Sequence, residues 1–148
     1  MLDKKLKEGM QGLQLKFTKF KGFSENFNEC SDKLTSIKGE YPTRLGAAIR
    51  HAGDGLEKRP SMKKLLLVIT DGAPSDIDVY DDHYLEYDSW YAVKALANNN
   101  IKTFCINLNA SSTHVTEHMF SIGRYRVLDD ITRLPDVLSE IYIRYARH

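Results

Sequence analysis

Leu65-Leu66-Leu67-Val68-Ile69 is an uninterrupted aliphatic run that passes straight into the polar turn Thr70-Asp71-Gly72-Ala73-Pro74. A run without polar alternation suits a strand buried on both faces, as in a parallel sheet covered by helices. In open α/β sheets, ligands sit at the edge where the strands end. A carboxylate there is unfavourable to bury unpaired, so Asp71 is expected to meet a cation, a hydrogen-bond donor or water.

The flanking sequence alternates strand and helix patterns. Leu13, Leu15 and Phe17 alternate with Gln14, Lys16 and Thr18, as in a half-buried strand whose lysines suit an edge. Ser24 is placed to cap a helix carrying Phe27, Cys30, Leu34 and Ile37, with Gly39 at its end. Thr43 is placed to cap a second helix, with Leu45, Ala48, Ile49, Ala52 and Leu56 as its apolar stripe and a break at Pro60-Ser61. Residues 72–88 read as a long loop rich in acids and tyrosines, including Asp76, Asp78 and Tyr80. A helix then turns Val93, Leu96 and Ala97 inward and stops at Asn98-Asn99-Asn100. A β-rich run from Ile101 to Leu108, a short helix from Val115 to Phe120 and a strand at Arg126-Val127-Leu128 follow. Pro135 opens the last helix, with Val137, Leu138, Ile141, Tyr142 and Tyr145 on one face. The alternation predicts a parallel-sheet α/β domain over residues 13–148 behind a polar lead-in, residues 1–12.

The chain's 148 residues suit one domain, and 42% hydrophobic with 28% charged residues is ordinary globular composition. A formal net charge of +1 provides no global field toward nucleic acid or an anionic membrane. Neither a signal-peptide core nor a membrane-length apolar run is present in the sequence. Cys30 and Cys105 are expected as reduced packing thiols, and the chain as cytoplasmic.

Two constellations carry chemistry. A hydroxyl at Thr43 and a carboxylate at Asp71 each stand at an element boundary, where they can converge on a hard divalent cation. On spacing alone, a helix cap at Thr43 and a turn residue at Asp71 are the better account of the pair. His114-Val115-Thr116-Glu117-His118 is an H-x-x-E-H zinc pattern, in which imidazoles at i and i+4 share a helix face and the Glu can act as base. The plainer account is a short amphipathic helix with its polar residues outward. The acidic stretch lacks the ligand spacing of an EF-hand, but with its tyrosines and Trp90 it is the expected partner surface. There is no G-x-S-x-G, P-loop or G-x-G-x-x-G.

Thr70-Asp71-Gly72 after an aliphatic strand resembles the fourth-strand motif of von Willebrand factor A (VWA) domains. Thr43-Arg44-Leu45-Gly46-Ala47-Ala48-Ile49-Arg50-His51-Ala52 resembles the T-R-M-G-A-A-I-R-H-A segment of the NorD-like nitric oxide reductase activation proteins. Thr70 to Tyr80 resembles their T-D-G-x-P-x-D-x-D-x-Y. Asp88-Ser89 with Ala92-Val93 is similar to their E-D-T-x-x-A-V, with Tyr87 in place of the Glu. Phe104-Cys105-Ile106 and His118-Met119-Phe120 resemble two further segments in the same order.

The resemblance implies a Rossmann-like VWA fold with a metal-ion-dependent adhesion site (MIDAS). Thr43 matches that site's threonine and Asp71 its aspartate, holding Mg²⁺ or Mn²⁺, with Asp76, Asp78 and Tyr80 shaping the rim. The site's D-x-S-x-S strand occurs nowhere in this sequence, so the expectation is an N-terminally truncated VWA domain whose metal site is incomplete unless that strand is supplied. The implied role is a non-enzymatic adaptor that works with a MoxR-type AAA+ ATPase on a client enzyme such as nitric oxide reductase. The competing expectations are a small zinc metallohydrolase using His114, Glu117 and His118, and a non-functional fragment.

Overall fold

The computed structural model describes residues 16–38, 43–75 and 81–147. The chain divides into two compact units, Met1–Tyr41 and Pro42–His148. In the first, helix α1 (Phe27–Thr35) starts from Asn26, whose side chain accepts the Asn28 N–H at 3.2 Å. The cap thus falls two residues beyond Ser24, on the residue whose extended backbone brings its side chain to a free helical N–H. Of the expected stripe only Cys30 is buried; Phe27, Leu34 and Ile37 are exposed. Leu13, Leu15 and Gly39 lie outside the described residues, and Lys16 and Phe17 have no regular secondary structure.

The second unit is an α/β sandwich of Rossmann-like type. Its elements are α2 (Leu45–Glu57), β1 (Lys64–Thr70), α3 (Asp82–Asn98), β2 (Ile101–Asn107), α4 (Thr113–Phe120), β3 (Tyr125–Val127) and α5 (Leu134–Arg147). The sheet is parallel, in the order β1-β2-β3. β1 and β2 pair along their whole length, from Lys64 opposite Ile101 to Thr70 opposite Asn107. Period-two alternation sends neighbouring side chains to opposite faces. On one face Leu66, Val68, Ile101 and Cys105 pack with Leu45, Ile49, Val93, Leu96, Met119 and Phe120 of α2, α3 and α4. On the other, Leu65, Leu67, Phe104 and Ile106 pack with Leu128 and with Val137 and Ile141 of α5.

Several expectations are corrected. The aliphatic run is half-buried along most of its length, and Ile69 is 47% exposed. The strand buried on both faces is β2, where Ile101, Phe104, Cys105 and Ile106 are all buried. Position in the sheet decides this: β2 has a strand on each side, whereas β1 pairs on one edge among the described residues. Helix α3 begins at Asp82, so the second half of the predicted loop is helical. Asp81 caps it, its carboxylate accepting the His83 N–H at 3.0 Å. The buried stripe runs Leu85, Ser89, Ala92, Val93, Leu96. Ser89 conceals it in the sequence, but its hydroxyl is satisfied internally by donating to the Leu85 carbonyl at 2.8 Å. Ala97 is exposed, β3 begins one residue earlier than expected, and Tyr142 on α5 is 72% exposed. Asn100 takes a positive φ of 58°, which reverses the chain from α3 into β2.

Helices α2 and α3 meet closely. At Gly46 an added Cβ would lie 2.1 Å from Asp88 Oδ2 and 3.0 Å from the Asp88 backbone carbon. Arg50 Nη2, one turn along α2, donates to both Asp88 carboxylate oxygens at 2.8 Å. Gly55, on the same helix, has nothing within 4 Å of an added Cβ. Two substitutions of the same kind should therefore have opposite effects in urea denaturation. Gly46→Ala is expected to destabilise by about 1–3 kcal/mol through overpacking. Gly55→Ala should stabilise by about 0.5–1 kcal/mol, because an exposed helical glycine gives way to a better helix former.

Candidate functional site

The C-terminal ends of β1 and β2 form the candidate site. Thr70 closes β1: its carbonyl accepts the Leu108 N–H at 2.8 Å, which ties the strand end to the chain leaving β2. Its hydroxyl donates to the Gly72 carbonyl at 3.0 Å and receives the Gly72 N–H at 3.3 Å. This clasp fixes the turn on which Asp71 stands, exposed. At Gly72 an added Cβ would meet nothing within 4 Å among the described residues.

Thr43 is not the helix cap expected of it. α2 starts at Leu45, after Arg44, without a side-chain cap bond, and Thr43 is exposed. Its carbonyl accepts the Leu45 N–H at 3.0 Å and the Ser75 N–H at 3.3 Å. The Ser75 bond brings the loop after β1 against the loop before α2, so Thr43 and Asp71 share one edge of the sheet. Thr70 holds this edge with both its carbonyl and its hydroxyl, whereas Ser75 acts through its backbone N–H, which residue type in the sequence does not reveal. Asp76, Asp78 and Tyr80 lie outside the described residues.

Next to this edge, Asn107 is fully buried at the end of β2. Its amide donates to Ser112 Oγ at 3.0 Å and Thr116 Oγ1 at 2.8 Å, while its Oδ1 accepts the Asn109 N–H at 2.8 Å. The network anchors the start of α4 beneath the chain that leaves β2.

The zinc pattern is divided among other partners. Glu117 accepts the Tyr125 hydroxyl at 3.3 Å, His118 Nδ1 faces Glu86 of α3 at 3.4 Å and stacks edge-on against Tyr87 at 5.0 Å, and His114 is exposed. Burial and the neighbouring Glu117 carboxylate hold the Tyr125 hydroxyl above its ordinary pKa. Among the described residues, no group of three or more His, Cys, Asp or Glu side chains is arranged to hold a metal ion. Both cysteines are free and buried, and no helix among the described residues is long and apolar enough to cross a membrane. The outer face of α3 presents Tyr84, Tyr87 and Tyr91, all exposed, with Trp90 edge-on to Tyr91 at 4.8 Å.

The chain is related in sequence to proteins named NorD. It is 32% identical over 123 residues to Protein NorD of Brucella melitensis, a match covering 82% of this chain and 19% of that protein. It is 30% identical over 118 residues to Protein NorD of Stutzerimonas stutzeri, covering 79% of this chain and 19% of that protein. An uncharacterized protein of Pseudomonas aeruginosa is 29% identical over 135 residues, 90% of this chain and 22% of that protein. The chain thus spans about a fifth of the length of the curated relatives it matches. It matches no family profile and no solved structure.

Two measurements test this region. Asn107→Leu should destabilise by about 1–3 kcal/mol in urea denaturation, because it strands the Asn109 N–H and removes the amide's bonds to the Ser112 and Thr116 hydroxyls, which keep their own bonds to the Asn109 and Ser112 carbonyls. The second concerns pH. Burial pushes the Cys105 thiol from 9.0 up to about 12. Between those values the folded state keeps a proton that the unfolded chain releases, so stability falls as pH rises, by at most about 1.4 kcal/mol per pH unit. Cys105→Ala should flatten that part of the profile, read from urea midpoints at about pH 8 and about pH 10.

Proposed function

We propose that this chain forms part of a VWA-type interaction module of a NorD-like accessory protein. In this reading it works in the cytoplasm with a MoxR-type AAA+ ATPase to activate or assemble a client enzyme, nitric oxide reductase in the first instance, and performs no chemistry of its own. The relatives named NorD support the family, and the edge shared by Thr43 and Asp71 supports the site. The observation that carries the reading is the Ser75–Thr43 bond at 3.3 Å, which joins two separate loops at the end of β1, where Asp71 is exposed.

The Asp71 carboxylate and the Thr43 hydroxyl are hard oxygen donors. They suit part of the shell of Mg²⁺ or Mn²⁺, and Mg²⁺ retains several waters in such sites. Held there, the cation would offer an open coordination position to a carboxylate of the partner. The outer edge of β1 carries no strand among the described residues, which leaves room for a strand bringing the D-x-S-x-S ligands. Asp76, Asp78 and Tyr80 would border the site, and the exposed tyrosines of α3 supply interface-type aromatics.

Binding of the ATPase to this chain should be strengthened by Mg²⁺, abolished by chelation and lost in Asp71→Ala, with Thr43→Ala weaker by about tenfold or more. Binding that is indifferent to both the metal and Asp71 would overturn the reading. So would one equivalent of tightly held zinc in the purified protein that disappears in His114→Ala.

A further inference from the structure

The other end of β2 carries a second feature, unrelated to the Asp71 edge. Among the described residues β3 pairs with Cys105–Asn107 alone, so the preceding part of β2 has no strand on that side there. A notch of ≈ 340 Å³ opens there, lined by Lys102, Thr103, Ile122, Gly123, Arg124, Arg144 and Tyr145. Its volume is in the range of small-molecule sites.

Three properties of its lining point to an anion. First, the charged residues that line it are all cations, and among the described residues none of Lys102, Arg124 and Arg144 forms an ion pair with a carboxylate. The Tyr145 ring gathers two of them, with Lys102 Nζ 5.4 Å and Arg144 Cζ 5.8 Å from its centre. Gathering like charges with no ion-paired carboxylate among the described residues is unfavourable, and a bound dianion reduces the repulsion. Second, Thr103 is 1% exposed, lines the notch, and its Oγ1 has no hydrogen-bond partner. A buried hydroxyl left unpaired is disfavoured and calls for a ligand or water. Third, the backbone supplies a donor. Cys105 N–H bonds to Arg124 on the β3 side at 2.9 Å, while Leu108 N–H bonds to Thr70 on the β1 side at 2.8 Å. Hydrogen-bonding direction alternates along a strand, so the Thr103 N–H faces the β3 side as well. Gly123, at φ +83°, makes the turn that brings Arg124 to the rim.

We propose that this notch binds the phosphate group of a small phosphorylated molecule. Guanidinium groups bind phosphate oxygens through paired charge-assisted hydrogen bonds, with an ammonium as point charge. A dianion matches a cluster of three cations better than a single carboxylate does.

The test is a titration of the ¹⁵N-labelled full chain with inorganic phosphate and with glycerol phosphate, with acetate and a poly-glutamate peptide in parallel. Saturable shifts are expected at the amides of Lys102, Thr103, Gly123 and Arg124, with glycerol phosphate at least as tight as inorganic phosphate. Arg124→Gln and Arg144→Gln, both at exposed side chains, should each weaken phosphate by about tenfold and leave the remaining spectrum unchanged. Thr103→Val should weaken it as well, with the fold checked by the same spectrum. Non-saturating shifts, equal responses to acetate, or affinity untouched by both arginine variants would overturn the proposal. Tighter binding of poly-glutamate than of either phosphate would also overturn it, in favour of an acidic protein partner.

Discussion

The parallel pairing of β1 with β2 is the constraint on which the rest of the second unit depends. Its register sets Val68 opposite Cys105 and Leu67 opposite Phe104, so both strands send matching side chains to each face. A slip of one residue would exchange the two faces and bring Leu65 and Leu67 under α2 and α3. Parallel strands cannot be joined by a tight turn, so a crossover helix must connect them. α3 is that helix, and its buried stripe from Leu85 to Leu96 closes the core on one side. The same register brings Thr70 level with Asn107, and so aligns the two strand ends that make up the candidate site.

The joint between α2 and α3 gives the family resemblance much of its physical content. Gly46 and Arg50 belong to one matched segment and Asp88 to another, nearly forty residues away in the sequence. In the fold they form one contact: a glycine that admits Asp88 and an arginine that holds its carboxylate at both oxygens. In this chain the matched residues at the joint form one packing contact, which holds α2 against α3. The two ends of β2 have different surroundings. The Asn107 end lies level with the end of β1, where Asp71 is exposed; the Lys102 end borders a notch whose charged lining residues are Lys102, Arg124 and Arg144.

Much of the fold was legible because long-period patterns survive local noise. The apolar spacing of α2, the β-branched and aromatic run of β2 and the Pro135 start of α5 all mark real elements. The misreadings have specific causes. Ser89 hid the stripe of α3 because a hydroxyl counts as polar in a sequence pattern, although bonding to the preceding turn lets it be buried. Thr43 looked like a cap because its residue type suits one, yet the helix starts two residues later and Thr43 contributes its carbonyl instead. The zinc pattern had correct spacing on a real helix, but Tyr125, Glu86 and Tyr87 engage its side chains separately.

By itself, then, the sequence determined the alternation of helices and strands, the strand that ends in Asp71, and the similarity to proteins named NorD. The first two follow from side-chain periodicity and residue type, which are local properties of the chain; the third rests on matched segments in the same order. The tertiary structure decided which strand is buried on both faces, because burial depends on neighbours and not on the strand's own hydrophobicity. It also decided that Thr43 and Asp71 share an edge, through a backbone bond from Ser75 that residue types do not encode. The cationic notch arises from β3 being shorter than β2, a difference in length that has meaning only once the strands lie side by side.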